Sequence, residues 1–356
     1  IPKRETSVQN KTLLIPNWDD LTLRMTMAVL RREGIDARLL EPGEETTAKG
    51  LRRNTGQCIP LNIIAQECID YIRNHDLDPA KTVLWNVESS IACNLALFPH
   101  HIRSILSDYG HGMENVGVYS GSLSFLDLSM KVPINVYFSY MFGGLIRKMG
   151  CRIRPYENIK GQTDEVIEES IGILERAFSG ECSKESALSE VIDRFQAIEQ
   201  QPEFVRRPKV AIFGDLYVRD NEMMNGNLVR FIEANGGEAV VTPYSSYLRM
   251  IANPYLKKWF REGLYLNALS SKALLTTAHR MEKNYTRAFS RILPDPEPDY
   301  SGSPEKIFRQ YDIRSENTGE AIESVLKIAY LLEQYPDIAL FVQTIPAFCC
   351  PSLVTE

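Results

Sequence analysis

Apolar residues recur along the chain in two patterns that alternate. Short apolar runs such as Thr82-Val-Leu-Trp85 are typical of buried strands, and longer stretches with an apolar residue every three or four positions predict amphipathic helices. We place strands at 12–16, 37–40, 82–85 and 116–119, and helices at 21–32, 60–72, 98–106 and 134–149. Because strands and helices alternate, we expect a parallel sheet with helices on its faces.

Two long amphipathic stretches at 163–178 and 184–198 have no strand between them, and they predict a helical connector. Strands at 209–213, 238–242 and 337–342 then repeat the first pattern. We therefore predict an α/β fold of two Rossmann-like (flavodoxin-like) parallel-sheet lobes joined by a helical connector. The first α/β lobe is placed at 1–155, the connector at 156–206, and the second lobe at 207–356 with a helical insertion at about 246–293.

Composition narrows the class of protein. The net charge of −6 gives no basic footprint for nucleic acid or an anionic membrane surface, and no apolar run of about 18 residues predicts a membrane span. The first twenty residues lack the apolar core of a signal peptide. Seven cysteines in such a chain argue against a disulfide scaffold and favour a reducing cytoplasm. Since the chain begins with Ile1 and Pro351 is suited to open a new helix, we expect a longer polypeptide, truncated here at its C-terminus.

Three cysteines remote in sequence each fall where a strand should end and a helix should begin. They are Cys58, Cys93 and Cys350. The carboxyl ends of parallel strands meet at one crevice, so these positions can converge. A helix N-terminus favours a thiolate, and thiolates bind soft metals and iron–sulfur clusters. The pattern predicts a cluster site between the two lobes.

A second interpretation of the same cysteines is that they pack at tight turns, as buried cysteines often do. Their spacing differs from the compact Cys-x-x-Cys runs of ferredoxins and zinc ribbons. For one cysteine the packing interpretation is favoured, and for three in matching positions the metal interpretation is favoured. Cys349 can replace Cys350 as a ligand or serve a second metal.

Other polar residues and motifs give a less specific indication of function. Cys68 belongs to an apolar helical stripe and is expected in the core, and His100-His101 are interpreted as ordinary helix residues. Gly214-Asp215 and Asp220-Asn221 follow a strand, where either ligand binding or turn formation explains them. No glycine-rich loop that would bind a nucleotide phosphate is present.

Five motifs together resemble a known family. The chain is similar to the C-terminal region of acyl-CoA dehydratase activase-related proteins (the CoA-substrate-specific enzyme activase family), whose fold is akin to subunits of 2-hydroxyacyl-CoA dehydratases and benzoyl-CoA reductases. The motifs are Asn54-Thr-Gly-Gln-Cys-Ile-Pro60, Ala92-Cys-Asn-Leu-Ala-Leu-Phe-Pro-His100, Arg154-Pro-Tyr-Glu157, Phe213-Gly-Asp-Leu-Tyr-Val-Arg-Asp-Asn221 and Pro346-Ala-Phe-Cys-Cys-Pro-Ser-Leu-Val-Thr-Glu356.

The resemblance implies a [4Fe-4S] or double-cubane cluster in a cleft between two Rossmann-like lobes, with Cys58, Cys93 and Cys350 as ligands and Cys349 in reserve. It also implies anaerobic metabolism, in which low-potential electrons arrive from an ATPase activator module in cis or in trans. An acyl-CoA or another small molecule would accept them, so an active protein would be a reductase- or dehydratase-type component. A homodimer is a further expectation. The alternative is a cluster-free two-lobed module that binds a small molecule or serves assembly.

Overall fold

The computed structural model of the chain describes residues 7–54, 56–87, 93–201, 205–293, 304–314 and 320–349. Its strands form two parallel sheets, one of four strands and one of three, each accompanied by helices. The predicted α/β fold with two Rossmann-like lobes is therefore confirmed. The domain boundaries predicted from the sequence stay predictions.

The first sheet has the strand order β2-β1-β3-β4, and every neighbouring pair is parallel. Each crossover between its strands contains at least one helix, as parallel pairing requires. The elements of this lobe are β1 (Thr12–Ile15), α1 (Asp20–Arg32), β2 (Ala37–Leu39), α2 (Glu44–Arg52), α3 (Ile59–Asn74), β3 (Thr82–Val87), α4 (Phe98–Tyr109), β4 (Gly117–Gly121) and α5 (Pro133–Ile153).

The second sheet has the order β6-β5-β7 and is also parallel. Two helices, α6 (Gln162–Ser179) and α7 (Lys184–Gln196), lie between the two sheets in sequence. The elements that follow are β5 (Lys209–Gly214), α8 (Glu222–Asn225), α9 (Leu228–Ala234), β6 (Glu238–Val240), α10 (Tyr244–Arg261), α11 (Tyr265–Phe289), α12 (Glu305–Gln310), α13 (Glu320–Gln334) and β7 (Ile338–Thr344).

Side chains that alternate along the first sheet build two separate apolar layers. Leu13 and Ile15 of β1 contribute to a large core with α1 and α5, whereas Leu14 points to the other face and packs with α3 and α4. This is the period-2 alternation of a strand that is covered on both faces. The α3/α4 layer also holds Cys58, so one of the predicted ligands belongs to this layer.

Helix α5 packs against elements of both lobes, and two consecutive glycines let it approach them. A Cβ at Gly143 would lie 2.8 Å from the Cα of Thr22 in α1, and a Cβ at Gly144 would lie 2.5 Å from the Cα of Pro243, which follows β6. Larger residues would push α5 away from one lobe or the other. The glycine pair therefore fixes how closely the two lobes dock.

The helices outside the sheets return to the same core. Helix α6 packs on α1 and α5, and the hairpin of α10 and α11 packs on α5 and α7. Tyr285 and Phe289 of α11 make edge-to-face contacts with Phe142 of α5, with ring centroids 5.1 and 5.6 Å away. The predicted helical insertion is thus joined to the first lobe by its aromatic side chains.

Candidate functional site

Cys58 lies immediately before the first turn of α3. It is the N-cap residue, Pro60 follows in the first turn, and only 8% of Cys58 is exposed. Proline suits this turn because the missing N–H would have no partner in the helix. Positive partial charge and unpaired N–H groups at a helix N-terminus favour a thiolate there.

Cys93 occupies a similar position in the segment after β3. It caps a short 3-10 turn, Asn94–Leu97, which leads directly into α4, where Pro99 lies in the first turn. Leu95 packs against the apolar layer that contains Cys58 and Phe98. The segments of Cys58 and Cys93 therefore meet at the same layer of the first lobe.

Cys349 follows β7 in the second lobe, and its N–H donates to the carbonyl of Pro346 in a turn. Asn94 Nδ2 donates to the carbonyl oxygen of Phe348 at 3.3 Å, across 254 positions of sequence. The residue after Cys93 thus contacts the residue before Cys349. This hydrogen bond brings cysteine-bearing segments of the two lobes together.

The end of β7 is held in place by a glycine of β5. Gly214 has a φ of 124°, and a Cβ there would lie 2.2 Å from the carbonyl oxygen of Thr344. The next residue, Asp215, donates its N–H to that same oxygen at 2.9 Å. Only glycine fits this approach, so the strand pair ends with the 345–349 segment in a defined position.

Within the described ranges, no three His, Cys, Asp or Glu side chains lie close enough together to hold a metal ion. Cys350 lies outside the described residues, so the set Cys58, Cys93 and Cys350 stays a prediction. The residues present fit an iron–sulfur group in their chemistry: they are thiols, and two of them lie at the start of helical segments. The buried amide of Asn62, one turn into α3 from Cys58, has no hydrogen-bond partner in the described part of the chain.

The loop after β5 connects the lobes. Asp215 Oδ1 accepts from the N–H groups of Tyr217 and Val218 at 2.9 and 2.8 Å, which makes the turn. Tyr217 then donates its hydroxyl to Glu67 Oε2 of α3 at 3.3 Å. Asn221 Nδ2 donates to the carbonyl of Asn17 at 2.8 Å. The polar residues of this loop therefore form the turn and dock the lobes.

Glu67 is buried against apolar neighbours, and burial raises its pKa to about 8. The carboxyl consequently holds a proton at neutral pH while it accepts the hydroxyl of Tyr217. Burial also raises the pKa of Cys68 to about 12, and this thiol is fully buried in the α3/α4 layer. Cys68 is thus a core residue, as the apolar stripe predicts.

A chain of buried charges runs from the first lobe into the second. Arg147 of α5 binds Asp19 with Nη2–Oδ1 at 2.6 Å and Nη1–Oδ2 at 3.0 Å, and its Nη1 lies 4.0 Å from Asp220 Oδ1. Asp220 in turn binds Arg219, with Nη2–Oδ2 at 2.7 Å. Burial raises the pKa of Asp220, but the charges of Arg219 and Arg147 outweigh it and hold that pKa below its ordinary value.

The buried chain ends in the second lobe. The Nη1 atom of Arg219 lies 3.9 Å from Glu323 Oε1, and Glu323 is paired with Lys327 in α13. The guanidinium of Arg219 also lies 4.6 Å above the ring of Tyr244. Three acidic and three basic side chains of the two lobes thus balance one another's charge, and all six are buried except Arg147, whose side chain is 13% exposed.

A cavity of about 1220 Å³ opens between β2 of the first lobe and residues 220–230 of the second. Five arginines and eight carboxylates line it, most of them paired with one another, and none of Cys58, Cys93 and Cys349 is among the lining residues. The cavity is therefore separate from Cys58, Cys93 and Cys349, whereas the buried Cys151 is among its lining residues. Its mixed charge suits a polar ligand.

Sequence reasoning missed the buried charges and Asn62. Glu323 and Lys327 are spaced i,i+4, which on most helices indicates an exposed pair. The signal that they are buried is their position inside the apolar stripe of α13, beside Ile322 and Leu326. Asn62 and Glu67 interrupt the apolar stripe of α3 in the same way.

The histidine pair of α4 contributes little to this site. His100 and His101 are exposed residues of α4, in agreement with their interpretation as ordinary helix residues.

None of the helices in the part of the chain that the structure describes is long and apolar enough to cross a membrane. Comparisons with protein-family models, curated proteins and solved structures found no match for the chain.

Proposed function

We propose that the protein is an iron–sulfur redox component of the 2-hydroxyacyl-CoA dehydratase/benzoyl-CoA reductase-like family. Cys58, Cys93 and Cys350 would hold a [4Fe-4S] or double-cubane cluster, with Cys349 as the reserve ligand. The observation that carries the proposal is the hydrogen bond from Asn94 to the carbonyl of Phe348, because it joins the cysteine segments of two lobes.

The cluster would store and pass single electrons when bound, at a potential set by charge, hydrogen bonds and exposure. The chain supplies the environment for this role. The N-terminus of α3 after Cys58 favours the thiolate form, and the apolar α3/α4 layer excludes water from one side. Three protein thiolates would leave one iron position for a substrate oxygen, a water or an external sulfur.

The partners follow from the same proposal. Electrons of low potential would come from an ATPase activator module in cis or in trans, and an acyl-CoA or another small molecule would accept them. Exposed Phe348 and Leu97 flank the two cysteine segments. An apolar rim of this kind suits contact with a partner near the site of electron entry.

Anaerobic reconstitution with iron and sulfide tests the proposal. We expect the wild-type protein to bind iron and sulfide and to show a brown absorbance, and Cys58→Ala, Cys93→Ala and Cys350→Ala each to lose most of both. Cys182→Ala is the matched control, because Cys182 is exposed and remote in sequence from the three ligands. A colourless wild-type protein without iron would defeat the proposal.

The reserve ligand needs a separate comparison. If Cys350→Ala retains iron and Cys349→Ala loses it, Cys349 is the ligand from the second lobe. Melting of each apo variant by circular dichroism separates loss of metal from loss of fold. An iron content equal to that of wild type in all four variants would refute the ligand set.

A second candidate is a cluster-free module that binds a small molecule, and the separate cavity between the lobes favours it. Such a protein would keep its ligand affinity when Cys58, Cys93 and Cys350 are all replaced by alanine. The redox protein would lose its metal in the same variant. A thermal-shift screen of polar metabolites against both proteins distinguishes the two functions.

A further inference from the structure

Asn62 is a buried amide that finds no hydrogen-bond partner among the residues that the structure describes. It lies in the first turns of α3, is only 1% exposed, and neither Nδ2 nor Oδ1 makes a hydrogen bond. An amide that is buried in this way loses its bonds to water and gains none, which is unfavourable. Native proteins rarely leave such a group unpaired, and the exceptions call for an explanation such as a missing ion or ligand.

The position of Asn62 relates it to Cys58. The two residues are four apart, and Cys58 is the N-cap of the helix. Side chains in an α-helix lean toward its N-terminus, and residues four apart lie on one face. Asn62 therefore lies on the face of α3 that leads back to Cys58, one turn away.

The described neighbours of Asn62 on α2 and α3 provide no hydrogen-bond partner for its amide. Helix α2 packs tightly on this turn, since a Cβ at Gly50 would lie 3.1 Å from the carbonyl oxygen of Asn62 and 2.8 Å from the Cα of Ile63. Leu61 and Ile64 belong to the apolar layer, and Gln66, one turn further along α3, is already bonded to Arg53 and Asp70. Cys58 lies one turn back from Asn62, at the start of the helix.

We propose that Asn62 donates an amide hydrogen bond to a sulfur of the iron–sulfur group held at Cys58, and so raises the reduction potential of that group. The inference rests on the proposed function. A reduced cluster carries one more negative charge than an oxidised one, so a donor stabilises the reduced form more strongly. Asn62 is thus a positioning and tuning residue, and it transfers no electron itself.

The test compares Asn62→Leu with wild type after anaerobic reconstitution. We expect both proteins to bind the same amount of iron. In a redox titration followed by electron paramagnetic resonance, the ratio of reduced to oxidised protein at a given potential should fall about tenfold in the variant, which is a shift of about 59 mV to lower potential for one electron. Asn74→Leu is the matched control, because Asn74 is the exposed last residue of the same helix.

A potential equal to that of wild type in an iron-loaded Asn62→Leu protein would overturn the inference and leave the proposed function standing. A wild-type protein without iron would instead refute the proposed function. Asn62→Ala removes the amide without adding volume and should show the same shift, so the test survives if the leucine variant does not fold.

A measurement without iron checks the physical premise. Apo Asn62→Leu should unfold at a higher urea concentration than apo wild type, because the unpaired amide has been removed. A lower midpoint would mean that the amide already has a good partner, such as a buried water, and would also overturn the inference.

Discussion

Removal of Arg147 should destabilise the protein strongly, because two buried carboxylates depend on it. Its guanidinium binds both oxygens of Asp19, which is fully buried, and lies 4.0 Å from Asp220. Burial lowers the pKa of Arg147, but the charges of Asp19 and Asp220 outweigh this effect and hold its pKa well above the ordinary value. The arginine is therefore charged at every accessible pH.

The expected cost follows from the charge that is left behind. Loss of one partner from a buried ion pair typically costs about 3–5 kcal/mol. We expect Arg147→Met to reduce the free energy of unfolding by this amount, because methionine fills part of the volume but cannot neutralise Asp19. In the double variant Asp19→Asn/Arg147→Met the uncompensated charge is gone, so we expect a coupling free energy of about 2 kcal/mol.

Urea unfolding provides the measurement. Trp18 and Trp85 lie in the core of the first lobe with ring centroids 5.6 Å apart, so two of the three tryptophans report this lobe by fluorescence, and Trp259 of α10 is the third. Far-ultraviolet circular dichroism reports the whole chain. Arg194→Met is the matched control, since Arg194 forms an exposed pair with Glu190 and should change stability little. The reasoning is refuted if Arg147→Met costs no more than this control, or if the two single changes add within about 0.5 kcal/mol.

Two further predictions concern the close approach of α5 to Pro243 and the pH dependence of the free energy of unfolding. Gly144→Ala should lower the free energy of unfolding by about 1–3 kcal/mol, because its Cβ would overlap Pro243. Gly172→Ala in α6, whose Cβ would meet nothing within 4 Å, should be neutral or stabilising in the same urea titration. Equal effects of the two changes would contradict the close approach of α5 to Pro243. Burial raises the pKa of Glu67 from 4.5 to about 8, so between these pH values the native protein keeps a proton that the unfolded chain has lost. The free energy of unfolding should therefore fall by about 1.4 kcal/mol for each unit by which the pH rises. Glu67→Gln should abolish this decline between pH 5 and pH 8, and an unchanged slope would show that Glu67 is ionised in the native protein.

Most of the fold could be predicted from the period of the apolar residues. The strand at 209–213 and the helix at 21–32 agree with β5 and α1 within a residue, because each carries an apolar pattern of its own period. Helix α2 was not predicted. Only Gly50 of its residues is buried, so the helix has no apolar stripe, and it is held by the close approach of that glycine to α3.

The candidate site could be predicted only in part. Cys58 begins α3 as expected, with Pro60 in the first turn as a strong local signal, but α2 lies between β2 and Cys58, so Cys58 does not follow a strand as predicted. Cys93 precedes a short 3-10 turn, and α4 begins only at Phe98. The buried charges could not be predicted, because the partners of Arg147 are 128 residues before it and 73 residues after it in the sequence. No local pattern distinguishes such a pair from charges on the surface.

The contacts between the lobes favour one docking geometry over others. A shift of one apolar surface relative to another changes the free energy little. A shift of the lobes that separated Arg147 from Asp220 would instead leave charges buried without partners. The hydrogen bond from Asn221 to Asn17 and the close approach of Gly144 to Pro243 constrain the same interface. A site whose ligands come from both lobes needs its geometry held within about 0.5 Å. Because these contacts lie away from Cys58, Cys93 and Cys349, they would align the segments of Cys93 and Cys349 before any metal is bound, so loading would not require closure of the lobes.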